Sequence, residues 1–93
     1  MQRDNKKILR AQLVNELTES EIYSRRAALQ KDEKNRQILE QIARDEASHA
    51  RMIAEILGEE GVVNKSAVAR VVLNARVFGL TFSLKLNLDL IHR

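Results

Sequence analysis

No cysteine and no proline occur in the 93 residues of this chain, glycine appears three times and aromatic residues make up 3% of it. Each shortage excludes something. Without cysteine there is no disulfide framework, no cysteine zinc site and no thiolate-held iron–sulfur cluster, so any metal must be held by nitrogen and oxygen; the lack also fits a reducing compartment, and a cytoplasmic location is expected. With so few turn-forming residues, and no β-branched run outside the neighbourhood of Gly61-Val62-Val63, an all-α chain is expected. Three aromatics supply no stacking platform for single-stranded nucleic acid, and no DNA-reading motif is present. The longest apolar stretch, 67–91, is interrupted by Arg70, Arg76, Lys85 and Asp89, which argues against a membrane span. "MQRDNKKILR" is charged on both sides of its few apolar residues, so no signal peptide is expected.

What is present is charge and periodicity. The net charge is +3, from sixteen basic and thirteen acidic residues interleaved along the chain. Mixed charge at helical spacing describes a solvated face rather than a nucleic-acid surface, and no nucleic-acid partner is expected. At this length the chain is one domain, 1–93, whose small core needs support from oligomerisation or a bound metal.

Three helices are expected, at about 5–30, 34–57 and 65–91. In the first, Leu9, Leu13, Glu16, Ser20, Tyr23 and Ala27 follow one helical stripe. In the second, Ile38, Ile42, Glu46, His49, Ile53 and Ile56 do the same, behind Asp32 as N-cap. Gly58 and Gly61 supply residues able to take positive φ beyond it, and Asn64 or Ser66 can cap the third. That third helix carries small residues at Ala75, Gly79 and Ser83, and a wide apolar surface through Val68, Val71, Val72, Phe78, Phe82 and Leu86, more than one hairpin can cover.

An acid and an imidazole among isoleucines, within "ARDEASHARM", are out of place unless they do something together. If the first two helices form an antiparallel hairpin turning near residue 32, Glu16 lies 16 residues before the turn and Glu46 and His49 lie 14 and 17 after it. At about 1.5 Å rise per residue the three share a level to within roughly 3 Å. A buried ionised carboxylate costs several kcal/mol and two close together repel, so a cation between them is the simplest compensation. An ion pair of Glu46 with Arg44 or Arg51 is the competing explanation, although both arginines lie off its stripe. Carboxylates with imidazole suit iron, with manganese or zinc as alternatives. Di-metal helical bundles use one Glu from each of two helices and a Glu-x-x-His from each of the other two. This chain has one copy of each half, so a dinuclear site requires a homodimer that completes a four-helix bundle.

The blocks "NELTESEIYSRRA", "NRQILEQIARDEASHARMIAEILG" and "ARVFGLTFSLKL" resemble the rubrerythrin-like, ferritin-superfamily domain that precedes the membrane part of some vacuolar-iron-transporter-type proteins, over about Asn15 to Leu86. The middle block also resembles rubrerythrins and half-length encapsulated ferritins; the last is more particular to the iron-transporter group. The resemblance implies that Glu16, Glu46 and His49 are iron ligands and that Tyr23 stands near the site as a hydrogen-bonding or redox-protecting residue. Two irons per dimer, oxidised by dioxygen or peroxide, is then the first functional expectation, beside a metal-binding or sensing domain without turnover and a structural helical module without metal. After "GLTFSLKL" this chain reads "NLDLIHR", with Asp89 its one acid, so a transporter half is expected to be absent and a membrane transporter is a partner at most.

Overall fold

The computed structural model describes residues 2–76, and the expectations placed on Phe78, Gly79, Phe82, Ser83 and Leu86 lie outside them. Among the described residues the chain is all-α. Helix α1 spans Arg3–Leu29 and α2 spans Glu33–Leu57. A third helical stretch, α3, covers 65–76, the last described residues. No described helix is long and apolar enough to cross a membrane.

Local chemistry sets the boundaries. Asp32 caps α2 by accepting the Lys34 backbone N–H at 3.1 Å, which satisfies one of the donors that a helix start leaves orphaned. Gly58 ends α2 in the left-handed region, φ 67°, where a side chain would be strained. Gly61 is different. It has no positive φ; a Cβ built there would lie 2.6 Å from Leu13 Cγ and 2.7 Å from Leu17 Cδ1, so close approach to α1 selects this glycine, not backbone conformation. Asn64, and not Ser66, caps α3, its Oδ1 accepting the Ala67 N–H at 3.1 Å.

α1 and α2 form the antiparallel hairpin. The α1 seam is the stripe read from the sequence: Leu13 and Ala27 are buried, and Leu9, Glu16, Ser20 and Tyr23 are half-buried. The α2 seam is not the isoleucine stripe. Ala43 and Ala50 are the buried residues of α2, with Ala47 and Ala54 half-buried beside them, whereas Ile38 and Ile56 are 52% and 62% exposed. Small side chains let the two backbones approach; Ile38 and Ile56 lie off that seam, while Ile42 and Ile53 are half-buried beside it.

α3 packs on the other side of α1. Val68 is buried and shares a groove with Val63, Val72, Glu21 and Arg25. Thr18 Oγ1 ties the α2–α3 connection down: it accepts the Asn64 N–H at 2.9 Å while donating to the Val14 carbonyl at 2.6 Å. A bidentate pair from Arg10 to Glu59, both contacts 2.7 Å, holds the same connection to the start of α1. Thr18, Glu21 and Arg25 lie on the face of α1 opposite Glu16. α3 therefore leaves the Glu16 side of the hairpin open.

Candidate metal centre

Ser20 lies one turn beyond Glu16 on α1, and Ala43 lies three residues before Glu46 on α2. The Ser20 hydroxyl donates to the Ala43 carbonyl at 2.8 Å, a direct tie between the helices that fixes their axial register at this level. Ala43 and Ala50, both buried, bracket Glu46 and hold α2 close to α1 here. The register sets Glu16 opposite Glu46.

The three residues expected to meet do meet. One ligand atom from each of Glu16, Glu46 and His49 lies within 4.8 Å of the others. His49 Nδ1 is 3.7 Å from Glu16 Oε2 and 3.9 Å from Glu46 Oε1, too long for hydrogen bonds but the spacing of donors around a shared centre. The carboxylates are largely covered, with side chains 20% and 18% exposed, and the imidazole is 57% exposed. His49 thus forms the outer wall of the cluster, on the open side of the hairpin. Glu16 Oε2 is buried and has no hydrogen-bond partner. An acceptor taken from water without compensation costs roughly 1–3 kcal/mol, more if charged, which makes this oxygen the sharpest signal in the cluster.

The competing ion pairs do not occur. Arg44 donates to Gln41 at 2.9 Å, and among the described residues neither Arg44 nor Arg51 forms a salt bridge with Glu46.

Glu19 was not singled out by the sequence, yet it belongs to the cluster. Its carboxyl is pushed above the ordinary carboxylate range, first by a hydrogen bond with Glu46, then by burial and by the Glu46 charge. Asn15 donates to it at 3.4 Å. Glu46 is likewise raised, first by its hydrogen bond with Glu16 and by burial, with Glu19 and His49 acting in the opposite direction. Glu19 and Glu46, side by side and partly covered, ionise less readily than free carboxyls without a cation beside them. The signal in the sequence was the Glu-x-x-Glu of residues 16 and 19, which places a second acid next to the first on one helix face.

Tyr23 is half-buried two turns beyond Glu16, roughly 10 Å along the axis, and the Arg26 guanidinium sits 5.9 Å from its ring centroid. It is not one of the three clustered donors.

Around the cluster the open side of the hairpin is apolar. Ile8, Ile38 and Ile56 are each more than half exposed. A carboxylate–imidazole cluster has the donor chemistry of a cation site.

Residues 7–90 match the family model described as Rubrerythrin. No curated protein and no solved structure matches the chain.

Proposed function

Because the chain belongs to the rubrerythrin family, we propose that it is an iron-binding carboxylate domain that takes up Fe(II) at Glu16, Glu46 and His49 and promotes its oxidation, two copies sharing one dinuclear centre. The buried, partnerless Glu16 Oε2 carries this reading. The donor set fits: two carboxylates and an imidazole suit iron, with manganese or zinc as competitors. Two ferrous ions held there would supply two electrons for reducing an oxidant such as dioxygen.

The chain's own groups have separate tasks. Glu16 and Glu46 offer negative charge from a covered site, where it acts more strongly than in water. His49, at the outer wall, closes the cluster toward the open side. Glu46 and Glu19 bind protons more tightly than free carboxyls, so a cation bound there would compete with those protons and its uptake would be coupled to proton release. The Tyr23 phenol, with the Arg26 guanidinium 5.9 Å from its ring centroid, would take up oxidising equivalents that stray along α1.

One chain offers three ligands, too few for two metals. A second copy laid on the open face gives four carboxylates and two imidazoles, covers Ile8, Ile38 and Ile56, and completes a four-helix bundle. Glu16 lies at the midpoint of α1 and Glu46 near that of α2, so a two-fold axis through the site overlaps the two hairpins along their length. The likeness of "ARVFGLTFSLKL" to the iron-transporter group adds, in this reading, a membrane transporter as the partner that such a domain would serve.

The test is anaerobic Fe(II) loading followed by exposure to oxygen, with light scattering on the same sample. Ferric absorption should grow faster than for free Fe(II) in the same buffer, from a particle of at least two chains. Binding without faster oxidation would reduce the domain to a metal-holding role. A monomer holding two metals would contradict the shared centre.

A further inference from the structure

Across α1 from the metal cluster, the junction of α1 with α3 opens into a groove of about 660 Å³. Its floor is apolar: Val68 is buried, Val63 and Val72 are half-buried, and Leu73, 60% exposed, lines the groove beside them. Its rim is basic. Arg25 stands on the α1 side and Lys65 and Arg76 on the α3 side, against one acid, Glu21, which Arg25 already pairs at 2.9 Å. Among the described residues neither Lys65 nor Arg76 forms a salt bridge. Between these two lie about three helical turns, so they share one face of α3 and mark the ends of a trough roughly 16 Å long, with Val72 on the same face between them. The hydrogen bond of 2.9 Å from the Asn64 N–H to Thr18 Oγ1 pins the start of α3 to α1, so the trough is formed before anything enters it.

We propose that this groove binds a single-chain anionic amphiphile, a free long-chain carboxylate whose tail lies along Val68 and Val72 and whose head pairs with the cations of the rim. The size and lining suit a small molecule: sites for such ligands are concave, mostly apolar and furnished with a few polar groups. A trough of this length takes an extended chain of about a dozen carbons. The two parts of the ligand do different work. Laying an alkyl chain on the valines removes apolar surface from water on both sides and supplies the affinity. Ion pairs at an exposed rim add little affinity, but they set which sign of charge is accepted. Three cations against one acid that is already paired select an anion, and a cationic head would meet like charge. The rest of the chain, 77–93, carries Lys85, His92 and Arg93 against Asp89 alone, so it supplies no counter-charge to this rim. The groove shares no residue with Glu16, Glu46 and His49 and stands whether or not they hold iron.

The experiment titrates the full, isotope-labelled chain, free of metal, with sodium dodecanoate below its micelle-forming concentration and follows the backbone amides by nuclear magnetic resonance. The amides of Val63, Val68 and Val72 should shift and saturate. Dodecyltrimethylammonium, the same tail with the opposite charge, and acetate, the same head without a tail, should leave them in place. Lys65→Glu combined with Arg76→Glu, both at exposed positions, should weaken dodecanoate roughly tenfold or more and let the cationic amphiphile bind instead. Val72→Asp should abolish binding while circular dichroism shows the helices kept; should that variant unfold, the charge-reversed pair decides alone. Amides that ignore dodecanoate, as they would if residues 77–93 already filled the groove, would overturn the proposal. So would equal binding of the two amphiphiles, shifts centred on Ile38 and Ile56 instead, or undiminished affinity in the charge-reversed pair. Groove amides that shift on protein dilution alone would show a second copy seated there and would overturn it as well.

Discussion

Replacing Gly61 by alanine adds one methyl group, and the structure says where it goes. An ideal Cβ would sit 2.6 Å and 2.8 Å from Leu13 Cγ and Cδ2, and 2.7 Å from Leu17 Cδ1. Leu13 is 2% exposed and has no solvent side to swing toward. The connection that carries Gly61 is tied on both flanks, by Arg10 to Glu59 and by Thr18 to Asn64, so lifting it breaks hydrogen bonds. Overpacking of a fitted contact costs about 1–3 kcal/mol. In a domain of this size each kcal/mol moves the melting temperature by about 4–8 °C. Thermal unfolding followed by far-ultraviolet circular dichroism should show that drop in Gly61→Ala. Gly58→Asn should cost less, since Gly58 has nothing within 4 Å of its built Cβ and asparagine tolerates the left-handed conformation. Because Leu13 lies one turn from Glu16 on the same seam, the Gly61 variant should also bind Fe(II) more weakly. A melting temperature equal to the parent's would refute the close approach.

Two further outcomes follow from the carboxyl row. Glu46 and Glu19 bind their protons more tightly in the folded chain than in the unfolded one, so their contribution to stability is present below the unfolded carboxylate value and is lost as pH rises through the raised native ones. Raising the pH upward from the ordinary carboxylate range should therefore destabilise the metal-free parent relative to Glu46→Gln, which has no proton to lose at that position; parallel pH profiles in chemical denaturation would contradict this. Metal should reverse the effect: with free Mn(II) at about 100 times its dissociation constant, the native state gains about 2.7 kcal/mol, a rise of roughly 10–20 °C in melting temperature, absent from Glu16→Ala, Glu46→Ala.

The hairpin and the level of its ligands were legible because both depend on counting along helices, where 1.5 Å per residue and 3.6 residues per turn leave little freedom. The caps at Asp32 and Asn64 and the left-handed Gly58 were legible for the same local reason. The seam of α2 was not. Hydropathy points to Ile38, Ile42, Ile53 and Ile56, but close packing on α1 selects Ala43 and Ala50, and a helix with two apolar faces does not say which neighbour takes which. Gly61 read as a turn residue because a missing side chain looks the same whether it relieves the backbone or makes room for a leucine. Glu19 is not legible because acids on helices are usually solvated; its closeness to Glu46 depends on the interhelical register that Ser20 and Ala43 set.

The central claim is that Glu16, Glu46 and His49 hold iron as one site, and equilibrium binding of Fe(II) under anaerobic conditions tests it most directly. The parent should bind about one iron per chain, two per dimer. Glu16→Ala, Glu46→Ala and His49→Ala should each lower that binding steeply, while Glu40→Ala and Glu55→Ala, on exposed positions away from the cluster, should leave it unchanged. Equal losses in all five variants, or full binding in the first three, would contradict the site.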